Sequence, residues 1–351
     1  MKNLILYLAL FTTFNLSAQT KKVLFEEFTG TGCGTCPGGH QIMDDLLTAY
    51  PNLIGIGLHT YNASDAMFFP EIDPLYTSYA AGAPMATADR VYSGTGFVAD
   101  VSTNWESNVQ TRLAESPKVS VSLDVAWNSS TRLISTEIST EIFENLPTGD
   151  YRFNFYVVED SVTGVGVGYD QTNFYNTSVG SPFFGLGNPI PEYVHMHVAR
   201  AILPSTWGQS GIISSTPLVG EIFTTTIDYT LPISYDEEQV RLVAFVSKYT
   251  TDHLGDEVYN AEEATLIDAS LGIKNIASES DFEVYPNPVQ DLIIVESEYK
   301  IEEIQIVDML GKTLLVENTA KIDVSHLPNG SYILIGYTSN GVFHKQFIKQ
   351  D

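Results

Sequence analysis

At 351 residues the chain is long enough for two or three domains that each bury a core, and its 44% hydrophobic content is that of a globular protein rather than a disordered one. Its 17 Lys and Arg stand against 43 Asp and Glu, a formal charge of −26. That excess repels phosphate backbones and anionic lipid alike, so nucleic acid is a poor candidate partner.

In chain order, Lys2 precedes an apolar run from Leu4 to Leu16 and then Ser17 and Ala18, the layout of a secretory signal peptide at residues 1–18. The run is too short to span a bilayer of about 30 Å. No cysteine follows the expected cleavage site, which argues against a lipoprotein, and no later apolar stretch reaches membrane-spanning length. Residues 22–28 (KVLFEEF) read as a strand, 29–34 as a glycine-rich loop, and 37–50 as a helix with Ile42, Leu46 and Leu47 on one face and Pro51 as its stop. Residues 53–59 (LIGIGLH) read as a second buried strand, so the three elements make a βαβ unit of a parallel sheet. An aromatic segment at 61–83 reads as an inserted helical stretch. After Pro84 comes a short run ending at Val91 and Tyr92, and 100–115 supply a helix with Trp105, Val109 and Leu113 on one face. This α/β domain is expected to span 19–117.

From 119 to about 268 the pattern changes to period-two segments separated by Gly, Pro, Asn and Asp turns, which predicts an antiparallel β-sandwich over 118–272. Within it lies a long aromatic, glycine-rich segment, 169–188 (YDQTNFYNTSVGSPFFGLGN), either a functional loop or a packed surface one. Residues 273–281 read as a linker. Residues 282–351 read as a small β unit with turns at 310–312, 328–330 and 339–341.

Cys33 and Cys36 are the only cysteines. Export places them where disulfides persist, and two cysteines with two residues between them cannot staple distant segments. Their pairing therefore serves local chemistry, a local turn, or a metal shared with other ligands. At a helix start, unpaired N–H groups and the helix dipole stabilise a thiolate on the first cysteine. Cys33 would then attack a substrate disulfide and Cys36 would resolve the mixed disulfide. Zinc would need His40, His59 or carboxylates as further ligands, since no second Cys pair exists. Redox or structural disulfide use ranks above it.

The string VLFEEFTGTGCGTCP at 23–37, followed by a helix, resembles the thioredoxin superfamily. With GAPMATADRVY at 82–92 it resembles the Omp28-related outer membrane proteins of Bacteroidetes. The resemblance implies a thioredoxin-like α/β fold, a cis Ala83–Pro84 bond facing the disulfide to position a substrate backbone, and Glu27 as the buried acid that takes a proton from the second cysteine. Glu26 is expected on the opposite, solvated face of its strand. Gly32 departs from the superfamily pattern, which has Trp before the first cysteine.

His195 and His197, two apart on an expected strand, have metal-ligand spacing but no visible third ligand, so a solvated sheet face is the preferred reading. Asp252, His253, Asp256 and Glu257 read as a charged turn rather than a Ca²⁺ loop. No cofactor or metal is expected.

The C-terminal unit carries YPNP at 285–288, IQIVDMLGK at 304–312, IDVSHLPNGSYIL at 322–334 and KQFIK at 345–349. These resemble the type A sorting domain of the type IX secretion system of Bacteroidetes. The resemblance implies a small β-sandwich sorting domain, recognition by the secretion machinery, and export through the periplasm to the cell surface or beyond. Two functional readings stand: thiol–disulfide exchange through Cys33, Cys36, Glu27 and Pro84 on a disulfide-bearing or thiol protein, or a noncatalytic surface binding or adhesion protein braced by its disulfide.

Overall fold

The computed structural model describes residues 20–60, 64–91, 94, 96–266, 282–297, 300–308, 313–338 and 341–350. The expected signal peptide at 1–18, Tyr92, the linker at 273–281 and the turns about 311 and 340 lie outside them.

The chain opens with strand β1 (Val23–Thr29), helix α1 (Cys36–Ala49) and strand β2 (Leu53–His59), the expected βαβ unit with β1 and β2 parallel. Helix α2 (Asp73–Tyr79), strand β3 (Met85–Ala88) antiparallel to β1, and helix α3 (Trp105–Leu113) follow. Next come β4 (Ser122–Asn128), β5 (Leu133–Glu141), β6 (Asp150–Glu159), β7 (Val198–Leu203), β8 (Ile222–Thr230), β9 (Val240–Tyr249) and β10 (Val258–Thr265).

These strands do not form a self-contained sandwich, which corrects the expectation for 118–272. Strands β6, β7, β9 and β10 join the first three in one mixed sheet of order β10-β9-β6-β7-β2-β1-β3, and the sheet crosses residue 117 through a parallel β2–β7 pairing at Gly57 and Val198. Only β4, β5 and β8 make a separate antiparallel sheet. The physical reason lies in β6 and β9, whose central residues are buried on both faces, as in sheets covered on two sides. Their apolar runs FYVV and LVAFV are continuous, and a period-two reading mistakes them for half-exposed strands.

Alternation along β1 sorts the two faces. Leu24 and Phe28 point with Ile54, Ile56, Tyr156 and Phe245 into a core closed by Leu75 and Tyr79 of α2. Val23 and Phe25 point the other way, against Met43 and Leu46 of α1 and Trp105 and Val109 of α3. On the far half of that second face, Phe153, Phe155 and Leu242 pack on Ile134, Ile138 and Ile227 of the three-stranded sheet. A two-sheet packing therefore exists, but one of its sheets is the continuation of the α/β sheet.

Glu26 shares the parity of Leu24 and corrects the expectation of a solvated carboxylate. It is 1% exposed and takes hydrogen bonds from Arg90 Nε at 2.8 Å, Arg90 Nη2 at 2.7 Å and the Tyr156 hydroxyl at 3.0 Å. A carboxylate inside a core persists only when paired in this way.

In the C-terminal unit, β11 (Phe282–Tyr285), β12 (Leu292–Ser297) and β15 (Lys321–Asp323) form one antiparallel sheet. Strands β13 (Ile301–Asp308), β14 (Thr313–Glu317), β16 (Gly330–Thr338) and β17 (Gly341–Lys349) form another. Both contribute to one core around Ile293, Val295, Ile304, Ile306, Leu334 and Phe347. Among the described residues no helix is long and apolar enough to cross a membrane.

Candidate redox site

Strand β1 ends at Thr29 and delivers the chain into two tight turns, closed by hydrogen bonds from Cys33 N to Gly30 O (3.0 Å) and from Cys36 N to Cys33 O (3.3 Å). Cys36 is the first residue of α1, with Pro37 behind it, where a missing N–H costs nothing. The two cysteines form a disulfide with Cα atoms 5.4 Å apart. They are unequal: Cys33 is 5% exposed and Cys36 fully buried. The Thr35 hydroxyl lies 3.7 Å from Cys33 Sγ, and the Ala83 carbonyl oxygen 3.5 Å from it.

The Ala83–Pro84 bond is cis. Pro84 meets Glu27 at Gly39, one turn along α1 from Cys36: a Cβ on Gly39 would fall 2.3 Å from Glu27 Oε1 and 2.8 Å from Pro84 Cβ. A glycine inside a helix is ordinarily unfavourable, and here it makes the room for both groups. The structure thus gathers Cys33, Cys36, Glu27 and Pro84 at the start of α1. Glu27 is fully buried, and neither of its oxygens has a hydrogen-bond partner among the described residues. Burial, reinforced by Asp44, pushes its carboxyl well above the ordinary range and favours the protonated form.

Around this centre stands a polar cluster of which the sequence pointed only to the histidines. Asp65 accepts hydrogen bonds from Thr31 N at 2.8 Å and Met67 N at 2.9 Å, and pairs with His59 Nδ1 at 2.8 Å, so it pins the loop before Cys33. Burial alone would raise the Asp65 carboxyl, but the His59 and backbone hydrogen bonds outweigh it and hold it below the ordinary range. His40 bridges the Thr29 hydroxyl (2.6 Å) and the Tyr193 hydroxyl (3.0 Å). Burial, with His59 nearby, keeps it neutral well below its usual pKa.

His195 and His197 do not share a solvated face, which corrects that expectation. His195 is buried, donates from Nε2 to the Tyr169 carbonyl at 2.8 Å, and is pushed down to about 4 by burial and the neighbouring His59. His197 adopts a left-handed backbone (φ 59°) that breaks the expected strand, and its ring lies between Asp160 and Asp44. Burial would lower its pKa, but these carboxylates raise it. His253 stacks on Trp207 and pairs with Asp256 at 2.8 Å, a structural contact. Among the described residues no group of three His, Cys, Asp or Glu is placed to hold a metal ion. His40 and His59, the ligands a zinc reading would need, have the partners given above.

The aromatic segment at 169–188 runs beside the cysteine loop. Thr172 N donates to Thr31 O and Phe174 N to Gly34 O, both at 2.8 Å. The buried Gln171 amide donates from Nε2 to Cys33 O at 2.9 Å and reaches the Gly30 and Thr31 carbonyls at 3.3 Å. The Phe174 ring takes the space that a Gly34 side chain would fill, with its nearest carbon 2.3 Å from the position of a Cβ. Length and aromatic content singled this segment out in the sequence; nothing local marked Gln171 or Asp65.

The family model for outer membrane protein Omp28 matches residues 73–266, and that for a secretion system C-terminal sorting domain matches 283–350. The first match begins beyond the cysteines and takes in Pro84 and the 169–188 segment. Among solved structures, HBP35 of Porphyromonas gingivalis is similar along 94% of this chain and 99% of its own, at 16% identity and a TM-score of 0.57, a likeness of fold. A domain of the outer membrane lipoprotein Omp28 from the same organism matches 42% of this chain and 88% of its own at 17% identity, with a TM-score of 0.23. No protein of curated function matches by sequence.

Proposed function

This chain belongs to the outer membrane protein Omp28 family and carries a C-terminal sorting domain for export to the cell surface or beyond; from that premise we propose that it is a thiol–disulfide exchange protein acting through Cys33 and Cys36. The partner is a thiol or disulfide of another polypeptide, and the secretion machinery recognises residues 282–351. The N-terminal part of the mixed α/β sheet is read as thioredoxin-like, from its βαβ unit, cysteine-bearing helix start and proline loop.

One observation carries the reading: the disulfide opens a helix, Cys33 is slightly exposed and Cys36 fully buried, and the buried Glu27 carboxyl, without a partner among the described residues, lies against Gly39 one turn along that helix. From the oxidised state, a substrate thiolate attacks Cys33 Sγ and the Cys33–Cys36 bond breaks. Cys36 leaves as a thiolate and takes the proton that Glu27 holds. A second substrate thiolate then attacks the substrate sulfur of the mixed disulfide, expelling Cys33 as a thiolate favoured by the α1 N-terminus and the Thr35 hydroxyl. The substrate dithiol is oxidised and the protein disulfide reduced by two electrons. The reverse sequence, with Glu27 as base toward Cys36, reduces a substrate disulfide. Pro84 is the positioning residue for the incoming backbone.

The near-complete cover over Cys33 favours the second reading, a structural disulfide in a surface binding protein. Exchange between the mature protein and a two-cysteine peptide separates the two. The enzyme reading predicts catalysed exchange that Cys33→Ser abolishes, and a stable mixed disulfide trapped by Cys36→Ser. No catalysis and no trapped adduct would leave the structural role.

A further inference from the structure

The segment at 169–188 contains one charged residue, Asp170, in a chain of net charge −26. It is ordered by its own asparagines. Asn173, fully buried, donates from Nδ2 to Phe183 O and Gly187 O, both at 2.9 Å, and its Oδ1 accepts from Tyr175 N at 2.9 Å. Asn188 Oδ1 accepts from Asn173 N at 2.9 Å, and Asn176 Oδ1 from Gly187 N at 2.8 Å. The Phe174 N–H is tied to Gly34 O, and the ring lies on the glycine between the two cysteines while the residue stays 65% exposed. Scattered exposed apolar side chains need no explanation, but an aromatic ring fixed by a built loop beside a reactive disulfide is a different case.

Resting on the exchange reading, we infer that Phe174 is a specificity-determining residue, which selects polypeptides carrying an apolar residue next to the cysteine that pairs with Cys33. The Ala83 carbonyl lies 3.5 Å from Cys33 Sγ and Phe174 covers the adjacent Gly34, so an incoming chain joined to Cys33 lays the residue flanking its own cysteine on the Phe174 ring. The contact is neutral and apolar, as the composition of the segment requires. Redox chemistry is unchanged by it: the ring transfers no electrons and no protons, and acts by holding the substrate.

The test uses the mature protein, reduced, and two synthetic peptide disulfides identical except for Phe or Ser beside the cysteine, with second-order exchange rates measured for wild type, Phe174→Ala and Phe174→Leu. Wild type is expected to prefer the Phe peptide. Phe174→Ala lowers the ratio of the two rates about fivefold, the size of one aromatic contact, and Phe174→Leu restores most of it. A ratio unmoved by Phe174→Ala, equal wild-type rates on both peptides, or acceleration of both by the truncation would overturn the inference. Failure of the wild type to react with either peptide would instead sink the exchange reading on which it rests.

Discussion

Glu27 sits where both carboxyl oxygens lack partners among the described residues, although Glu26, its neighbour in sequence, is fully satisfied by Arg90 and Tyr156. Strand alternation separates them, because one side chain enters the face with Arg90 and the other the face against α1. An unpaired buried carboxyl is costly, and the cost has a sign in pH. The folded-state pKa of Glu27 is raised above its unfolded value, so the protonated group is tolerated at low pH and stability is lost as pH rises from about 4.5 toward the folded value. Glu27→Gln should therefore stabilise the protein by on the order of 2 kcal/mol at pH 7, with the advantage shrinking toward pH 4, measured by denaturant unfolding across pH. The same variant should slow resolution by Cys36 if Glu27 carries its proton. An equal stability gain at every pH would show that Glu27 does not titrate. The sequence offered Glu27 only through the resemblance to the thioredoxin superfamily. It could not show that Glu26 has a partner, since Arg90 is 64 positions away and the pair forms only on folding.

At the level of elements, β1, α1 and β2 were legible because their periodicities are local: a short apolar run, a helical face stopped by Pro51, another apolar run. The packing of the 169–188 segment was not, because its ties to the cysteine loop are hydrogen bonds from Gln171, Thr172 and Phe174 to backbone carbonyls, which leave no compositional trace. Gln171 is the clearest case, a fully buried amide whose Nε2 gathers the carbonyls of the loop before α1. Gln171→Ala removes the side-chain donor that these carbonyls share while Cys33 N, Thr172 N and Cys36 N still reach them, and should cost about 0.5–1.5 kcal/mol. It should also raise amide exchange at residues 30–35 more than in α3. Uniform loss of protection would make Gln171 an ordinary core residue rather than the tie between the two segments.

Across the whole molecule, the continuous sheet joins the disulfide-bearing site to strands far along the chain, so Cys33 and its covering segment belong to one folded body. The sequence placed a boundary at 117 because the pattern changes there from helix-bearing to strand-only. Sheet continuity through β7 is a long-range pairing that composition does not encode. The C-terminal unit, by contrast, was legible almost entirely, since its motifs are contiguous and the sorting-domain match covers 283–350. Exchange at the disulfide is tested most directly by the reduction potential of the Cys33–Cys36 couple in the mature protein, equilibrated in glutathione or dithiothreitol buffers with Cys33→Ser as control. A potential between about −120 and −270 mV, with Cys33 forming its thiolate below neutrality, is the predicted result. A potential below about −300 mV with an unreactive thiol would contradict it and mark the disulfide as a brace.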